Sequence, residues 1–183
     1  MSPTAVTSSF LRRMMGSAAL DTGIFEEIEG DPRATSQAFI VVLLSSVATG
    51  IGAIGFGARL VPSIVLGVLI ALLTWAAWAL VTFEIGVRIL PGRQTRSSVD
   101  ELLRTIGFAT TPGLLRVFGA LPGTTTPIFA LTSIWMLAAM VVGVRQALDY
   151  ETTGRAIAVC ALGWVLATVC AVAIGLAFGP VVS

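Results

Sequence analysis

The sequence contains no histidine and no lysine, so all eleven of its cations are arginine. Those absences remove the commonest transition-metal ligand and the commonest general base. Charge of any kind is scarce, at 11% of 183 residues against 56% apolar, and the formal net charge is +1. So neutral a balance offers no basic excess to nucleic-acid phosphates and excludes that class of partner. The two cysteines, Cys160 and Cys170, share one apolar run. On a helix they stand about 15 Å apart, too far for a mutual disulfide, and they read as small packing residues. The sequence has no Gly-rich phosphate loop, paired catalytic carboxylates or nucleophile-and-base set. It is expected to be no enzyme and to hold no metal or cofactor. A cleavable leader is not expected either, because the apolar stretch between Arg13 and Asp21 is too short.

What the chain does have is long uncharged runs: residues 34–58, 60–83, 117–144 and 156–183 carry no charge. Each reaches the roughly 20 residues that a helix needs to cross a bilayer. The expected fold is all-α, a polytopic integral membrane protein whose first partner is the lipid bilayer. Leu121-Pro122-Gly123 and Pro127 cut the third run, so five spans are expected at about 36–57, 63–87, 99–121, 127–148 and 156–178. Ser98 with Glu101 three positions on makes a capping box at the start of the third. Residues 1–35 form a cytoplasmic segment: 1–7 read as disordered, followed by an amphipathic helix from Phe10 to Leu20. A second short helix then turns Ile24, Phe25 and Ile28 inward and ends at Gly30. This pair either lies in the membrane interface or packs across the mouths of the bundle. Asp31-Pro32 reads as the N-cap and first residue of span one.

Loop arginines set the orientation. With the N-terminus inside, Arg33, Arg88, Arg93, Arg96, Arg104, Arg145 and Arg155 fall on the inner side, Arg59 and Arg116 on the outer. A multi-pass protein of the cell's cytoplasmic membrane is therefore expected, with its N-terminus cytoplasmic and its C-terminus outside.

The third span differs from the others. It contains Arg104, Arg116 and a Thr110-Thr111-Pro112-Gly113 interruption. Pro112 removes an amide proton and crowds the carbonyl four positions back, while Gly107 and Gly113 permit a bend and the threonines can bond back to the chain. Broken helices of this kind line substrate sites in some transporters and are plain kinks elsewhere. Glu84 is the one acid inside an expected span, about 31 Å of rise from Ser63. That depth and the favourable spacing to Arg88 suggest an interfacial ion pair, the alternative being a functional carboxylate. Arg104 and Arg116 can each snorkel to an interface, or Arg116 can serve a polar cavity. Trp75, Trp78, Trp135 and Trp164 read as core packing. In span five, Gly163, Ala167, Ala171, Gly175 and Gly179 recur every four residues, a small-residue stripe suited to contact with another helix or with a second copy.

The run Ile106-Gly107-Phe108-Ala109-Thr110-Thr111-Pro112-Gly113-Leu114-Leu115 resembles the Gly-aromatic-x-x-x-Pro-x-Leu-Leu signature of the Yip domain, the Ypt/Rab-interacting family of five-span membrane proteins. The order of cytoplasmic segment, two spans, polar loop, motif, Pro/Gly turn and two further spans agrees over about residues 30–180. The resemblance places Gly107, Phe108 and Pro112 on the motif and carries no catalytic residue with it. Eukaryotic members bind prenylated Rab GTPases, but the arginine-rich, lysine-free composition suggests a high-GC bacterium, where those partners do not exist. The function expected first is a membrane scaffold or assembly factor that contacts other membrane proteins or itself. The second is a small transporter or channel with a polar site at the broken third span.

Overall fold

The computed structural model describes residues 3–57, 60–92, 95 and 97–178. Among them there are seven α-helices and no strand: α1 Pro3–Ala18, α2 Thr22–Gly30, α3 Ala34–Gly52, α4 Leu60–Glu84, α5 Val99–Phe108, α6 Thr125–Ala147 and α7 Thr153–Phe178. Three described stretches are long and apolar enough to cross a membrane, Ala34–Phe56, Gly67–Ile89 and Thr125–Ala147. A shorter apolar helix covers Thr153–Leu166.

The N-terminal pair differs from its reading at one point: of the residues 1–7 read as disordered, 3–7 lie in α1, which starts at Pro3, and residues 1 and 2 lie outside the described residues. Between the alternatives left open for α1 and α2, the structure packs them against the bundle. Phe25 and Ile28 are fully buried, and a methyl group on Gly143 of α6 would touch the Phe25 ring at 3.1 Å. The end of α1 goes deeper. Ser17 Oγ lies 3.2 Å from Thr111 Oγ1 in the third span, and Trp135 Nε1 donates to the Ala18 carbonyl at 2.7 Å. Trp135 stands about 18 Å along α6 from its Ala147 end, so α1 is wedged to mid-height of the bundle. Phe10 closes the wedge edge-on to Phe108, with ring centroids 6.3 Å apart.

The first long helix begins two residues later than Asp31-Pro32 suggests. Ala34 N donates to the Asp31 carbonyl in a lead-in turn, and the Asp31 side chain serves two elements at once. Its Oδ1 accepts from Arg33 N at 3.0 Å. Its Oδ2 accepts from Arg13 Nη2 at 2.7 Å, while Arg13 Nε also reaches Glu27 Oε1 at 3.0 Å. Asp31 thus ties α1 to the α2–α3 corner. The capping box forms as the spacing predicts: Glu101 N donates to Ser98 Oγ and Ser98 N to Glu101 Oε2. It starts α5, which stops at Phe108 and continues as a 3₁₀ segment over Thr111–Ala120.

Close backbone approaches need the glycines of α3 and its partners. A Cβ on Gly52 would collide with the Arg116 carbonyl, and one on Gly107 would come to 2.7 Å from Ala38 Cβ. Without those side chains, α3 lies directly against the third span. That contact positions the site described next.

Candidate functional site

The interruption between α5 and its 3₁₀ continuation, the segment read as the third span, is held by its own threonines. Thr110 Oγ1 donates to the Gly107 carbonyl at 2.7 Å and Thr111 Oγ1 to the Phe108 carbonyl at 2.6 Å. The Phe108 carbonyl, which Pro112 cannot serve for want of an N–H, thereby keeps a partner. Thr110 N and Gly113 N make 3₁₀-type bonds to Gly107 and Thr110. Gly113 lets the turn press against α3 and α6, since a Cβ there would strike Ser45 Oγ and approach Met136 Sδ to 3.1 Å.

Beside this turn the bundle is hollow. A cavity of about 910 Å³ is bounded by α3, α4, the third span, α6 and α7. Its lining is apolar for the most part, with Trp75, Trp78, Ile106, Met136 and Trp164 among the contributors. Hydroxyls interrupt that lining at Ser45, Ser46, Thr49, Thr74, Thr110 and Thr168, and those of Ser46, Thr49, Thr110 and Thr168 donate back to a carbonyl of their own chain. Those four offer the cavity lone pairs and not protons. Trp75 Nε1 donates to the Leu103 carbonyl at 3.0 Å. Trp78 Nε1, by contrast, is the one fully buried side-chain polar atom among the described residues with no partner. Ile70 and Trp164 line the cavity yet are 54% and 61% exposed, so it opens sideways between α4 and α7.

The charges that the sequence singles out separate into different roles. Arg116 lines the cavity. Its Nε donates to Thr132 Oγ1 at 3.1 Å, Nη1 to Thr49 Oγ1 at 3.4 Å and Nη2 to Ser133 Oγ at 2.8 Å. The Phe129 ring lies 5.1 Å beneath its guanidinium. No carboxylate among the described residues lies within ion-pair distance of it. Arg104, in contrast, is buried and turned toward the N-terminal helices, where Nε and Nη2 donate to the Glu29 carbonyl at 3.1 and 2.6 Å. That carbonyl is at the C-terminal end of α2, where a cation also complements the helix dipole. Glu84 and Arg88 pair at 2.9 Å with both side chains well exposed, and they lie away from the cavity lining. Of the span-five stripe, Gly163 is buried, with the Trp78 ring 3.2 Å from where its Cβ would be. The side chains of Ala167, Ala171 and Gly175, and all of Gly179, lie outside the described residues.

The motif and the fold now converge. A family model for the Yip1 domain matches residues 22–174. The chain belongs to the Yip1 domain family. The matched region of this Yip1 domain protein starts at α2 and includes the broken third span, Arg116 and every wall of the cavity. No curated protein and no solved structure is similar enough to match it. A membrane protein with several apolar helices in contact with lipid is what the family and the helices establish together. The cavity was not read from the sequence. It arises where serine, threonine and glycine face one another across three helices, and a four-residue repeat of small residues reads the same whether it borders a partner helix or a void.

Between α2 and the C-terminal end of α6, Glu29 shares a polar depression with Glu26 and Asp149. Burial raises its carboxyl pKa to about 7; the nearby charges of Asp149, Glu101 and Glu26 add to that, and Arg104 opposes it. In the unfolded chain the same group titrates near 4.5. Between those values the folded state keeps a proton that the unfolded state has lost, so stability falls as pH rises through the window. Glu29→Gln is expected to abolish that fall. Its stability at pH 8 relative to pH 5 should exceed the parent's by about 1 kcal/mol, allowing for solvent screening of a half-exposed group. Thermal unfolding in detergent at the two pH values checks this, and parallel pH profiles would refute it.

Proposed function

We propose that this Yip1 domain protein is a non-enzymatic, five-span membrane protein that works by taking a membrane-soluble molecule into its central cavity, as a carrier or a small transporter does. The observation that carries this reading is the cavity of about 910 Å³ at the break in the third span, open sideways between α4 and α7. Its size lies in the range of ligand-binding clefts, roughly 300–1,000 Å³. The spans would be α3, α4, α5 with its 3₁₀ continuation, α6 and α7, set in the cytoplasmic membrane with the N-terminus inside, as the excess of arginines in the inner loops supports. Small-residue faces, which would otherwise invite partner helices, are engaged within the chain at Gly52, Gly113 and Gly163.

A scaffold role is the second reading. It is favoured by Leu11 and Met15 on α1, which are 50% and 68% exposed on the face turned away from the bundle. A partner or the membrane surface could cover them.

Filling the cavity distinguishes the two. Gly67 borders it, and a Cβ there meets nothing within 4 Å. Gly67→Phe should insert and fold normally but lose a small molecule that co-purifies with the parent, as read by mass spectrometry of the extracted protein. Equal recovery from both proteins would return the function to the scaffold. The topology has its own check. A cysteine at Ser97, in a background without Cys160 and Cys170, should be shielded from an impermeant thiol reagent in intact cells.

A further inference from the structure

Resting on the reading of the cavity as a binding chamber, we propose that its ligand is a single-chain anionic amphiphile, whose head is held by Arg116 and whose chain lies along the tryptophan-lined wall. Three observations lead there. The first is an unneutralised cation. Arg116 has five N–H donors, and its bonds to Thr132, Thr49 and Ser133 account for three. All three acceptors are neutral hydroxyls, so none balances the charge. A cation within a bundle surrounded by lipid is expensive until an anion compensates it. The hydroxyls and the Phe129 ring hold the guanidinium in place, and a fork fixed in advance suits a carboxylate or a phosphate.

The second is the separation of polar and apolar lining. Beyond Arg116 the chamber runs along α4 from Gly67 to Trp78, about 16 Å of helix. Trp75, Trp78, Ile106 and Met140 there offer a wall for a hydrocarbon chain. On that lining the back-bonded hydroxyls of Ser46, Thr49, Thr110 and Thr168 present lone pairs, which repel a second anion.

The third is access. The exposed flanks of Ile70 and Trp164 place the opening between two lipid-facing helices, so the ligand enters from the membrane without crossing water.

Tryptophan provides the readout, since Trp75, Trp78 and Trp164 line the chamber while Trp135 is engaged by the Ala18 carbonyl outside it. Purified full-length protein in dodecyl maltoside is titrated with dibromostearate, above its titration range, and with the brominated alcohol of the same chain length. Saturable quenching is expected for both, with the acid binding about 10-fold tighter, the equivalent of one charge-assisted hydrogen bond. Arg116→Gln should erase that preference and leave the alcohol within about twofold of the parent. Gly67→Phe should abolish saturable quenching with Arg116 intact. Competition by stearyl phosphate against dibromostearate tells a phosphate head from a carboxylate head, either being the anion proposed. If acid and alcohol bind the parent equally, the anion inference is overturned while the chamber stands. If neither quenches saturably, both fall, and the parent protein alone decides this should Arg116→Gln not fold.

Discussion

Gly52→Val is expected to destabilise the bundle by about 3 kcal/mol, the upper end of the usual range for overpacking. Gly52 ends α3, and its missing side chain is what lets the Arg116 carbonyl come in against the helix. The first added carbon would collide with that oxygen, lie 2.9 Å from the Arg116 carbonyl carbon and 3.0 Å from Phe129 Cε2. Two of those contacts are backbone and cannot rotate away. Relief would require α3 and the 3₁₀ segment to separate, which would disturb the Thr49–Arg116 bond as well. Gly67→Ala makes the matched control, because its Cβ enters open space in the middle of a helix. It should stabilise by about 0.5–1 kcal/mol through the usual preference for alanine over glycine. Unfolding of both variants by heat in one detergent measures the contrast. A drop for Gly52→Val no larger than about 0.5 kcal/mol would mean that the two segments do not meet there.

The second large effect is expected at Arg104. Arg104→Met keeps most of the side-chain volume but removes both donors to the Glu29 carbonyl and the longer bond to Thr35 Oγ1. Hydrogen bonds from a charged donor contribute roughly 1.5–3 kcal/mol. A cation at a helix C-terminus adds about 0.3–1 kcal/mol. A loss of about 2–3 kcal/mol is therefore expected. Its location is more diagnostic than its size. Amide hydrogen exchange should accelerate in α2, whose end loses its anchor, while α4 and the described part of α7 keep their protection. Uniform acceleration along the chain, or none in α2, would show that Arg104 does not hold the N-terminal helices to the bundle.

The difference between Arg104 and Arg116 shows how far a sequence can be read here. Both look alike as arginines in an apolar run, and snorkelling to opposite interfaces is a reasonable expectation for both. Arg104 instead finds a backbone carbonyl 75 positions away, and a carbonyl leaves no trace in the pattern of side chains. Local chemistry was legible. The capping box at Ser98 and Glu101, the turns at Gly57 and Gly123 with φ of 85° and 78°, and the Glu84–Arg88 pair all follow from neighbours a few positions apart. At Asp31 the local signal is displaced rather than lost: Oδ1 accepts from Arg33 N while Oδ2 binds Arg13 of α1, and the regular helix starts at Ala34. The chamber lies furthest from what a sequence shows. It is a volume left between helices, and only the fact that Thr110, Trp78 and Arg116 border it turns three separate residues into one site.

The wedge of α1 at Ser17 and Ala18 has a consequence for how the protein is made. The helix is translated first, but its two seats are Thr111 and Trp135, which follow it by 94 and 117 residues. At chain growth of roughly 5–20 residues per second, the later seat is synthesised about 6–23 s after Ala18. During that interval Ile28 can already pack on Met14 of α1 and Ala38 of α3, but Phe25 and the end of α1 lack the seats that Ala109, Thr111, Trp135 and Ala139 later supply. Docking of α1 and α2 therefore comes after synthesis of α6, and it reports that the bundle above has closed.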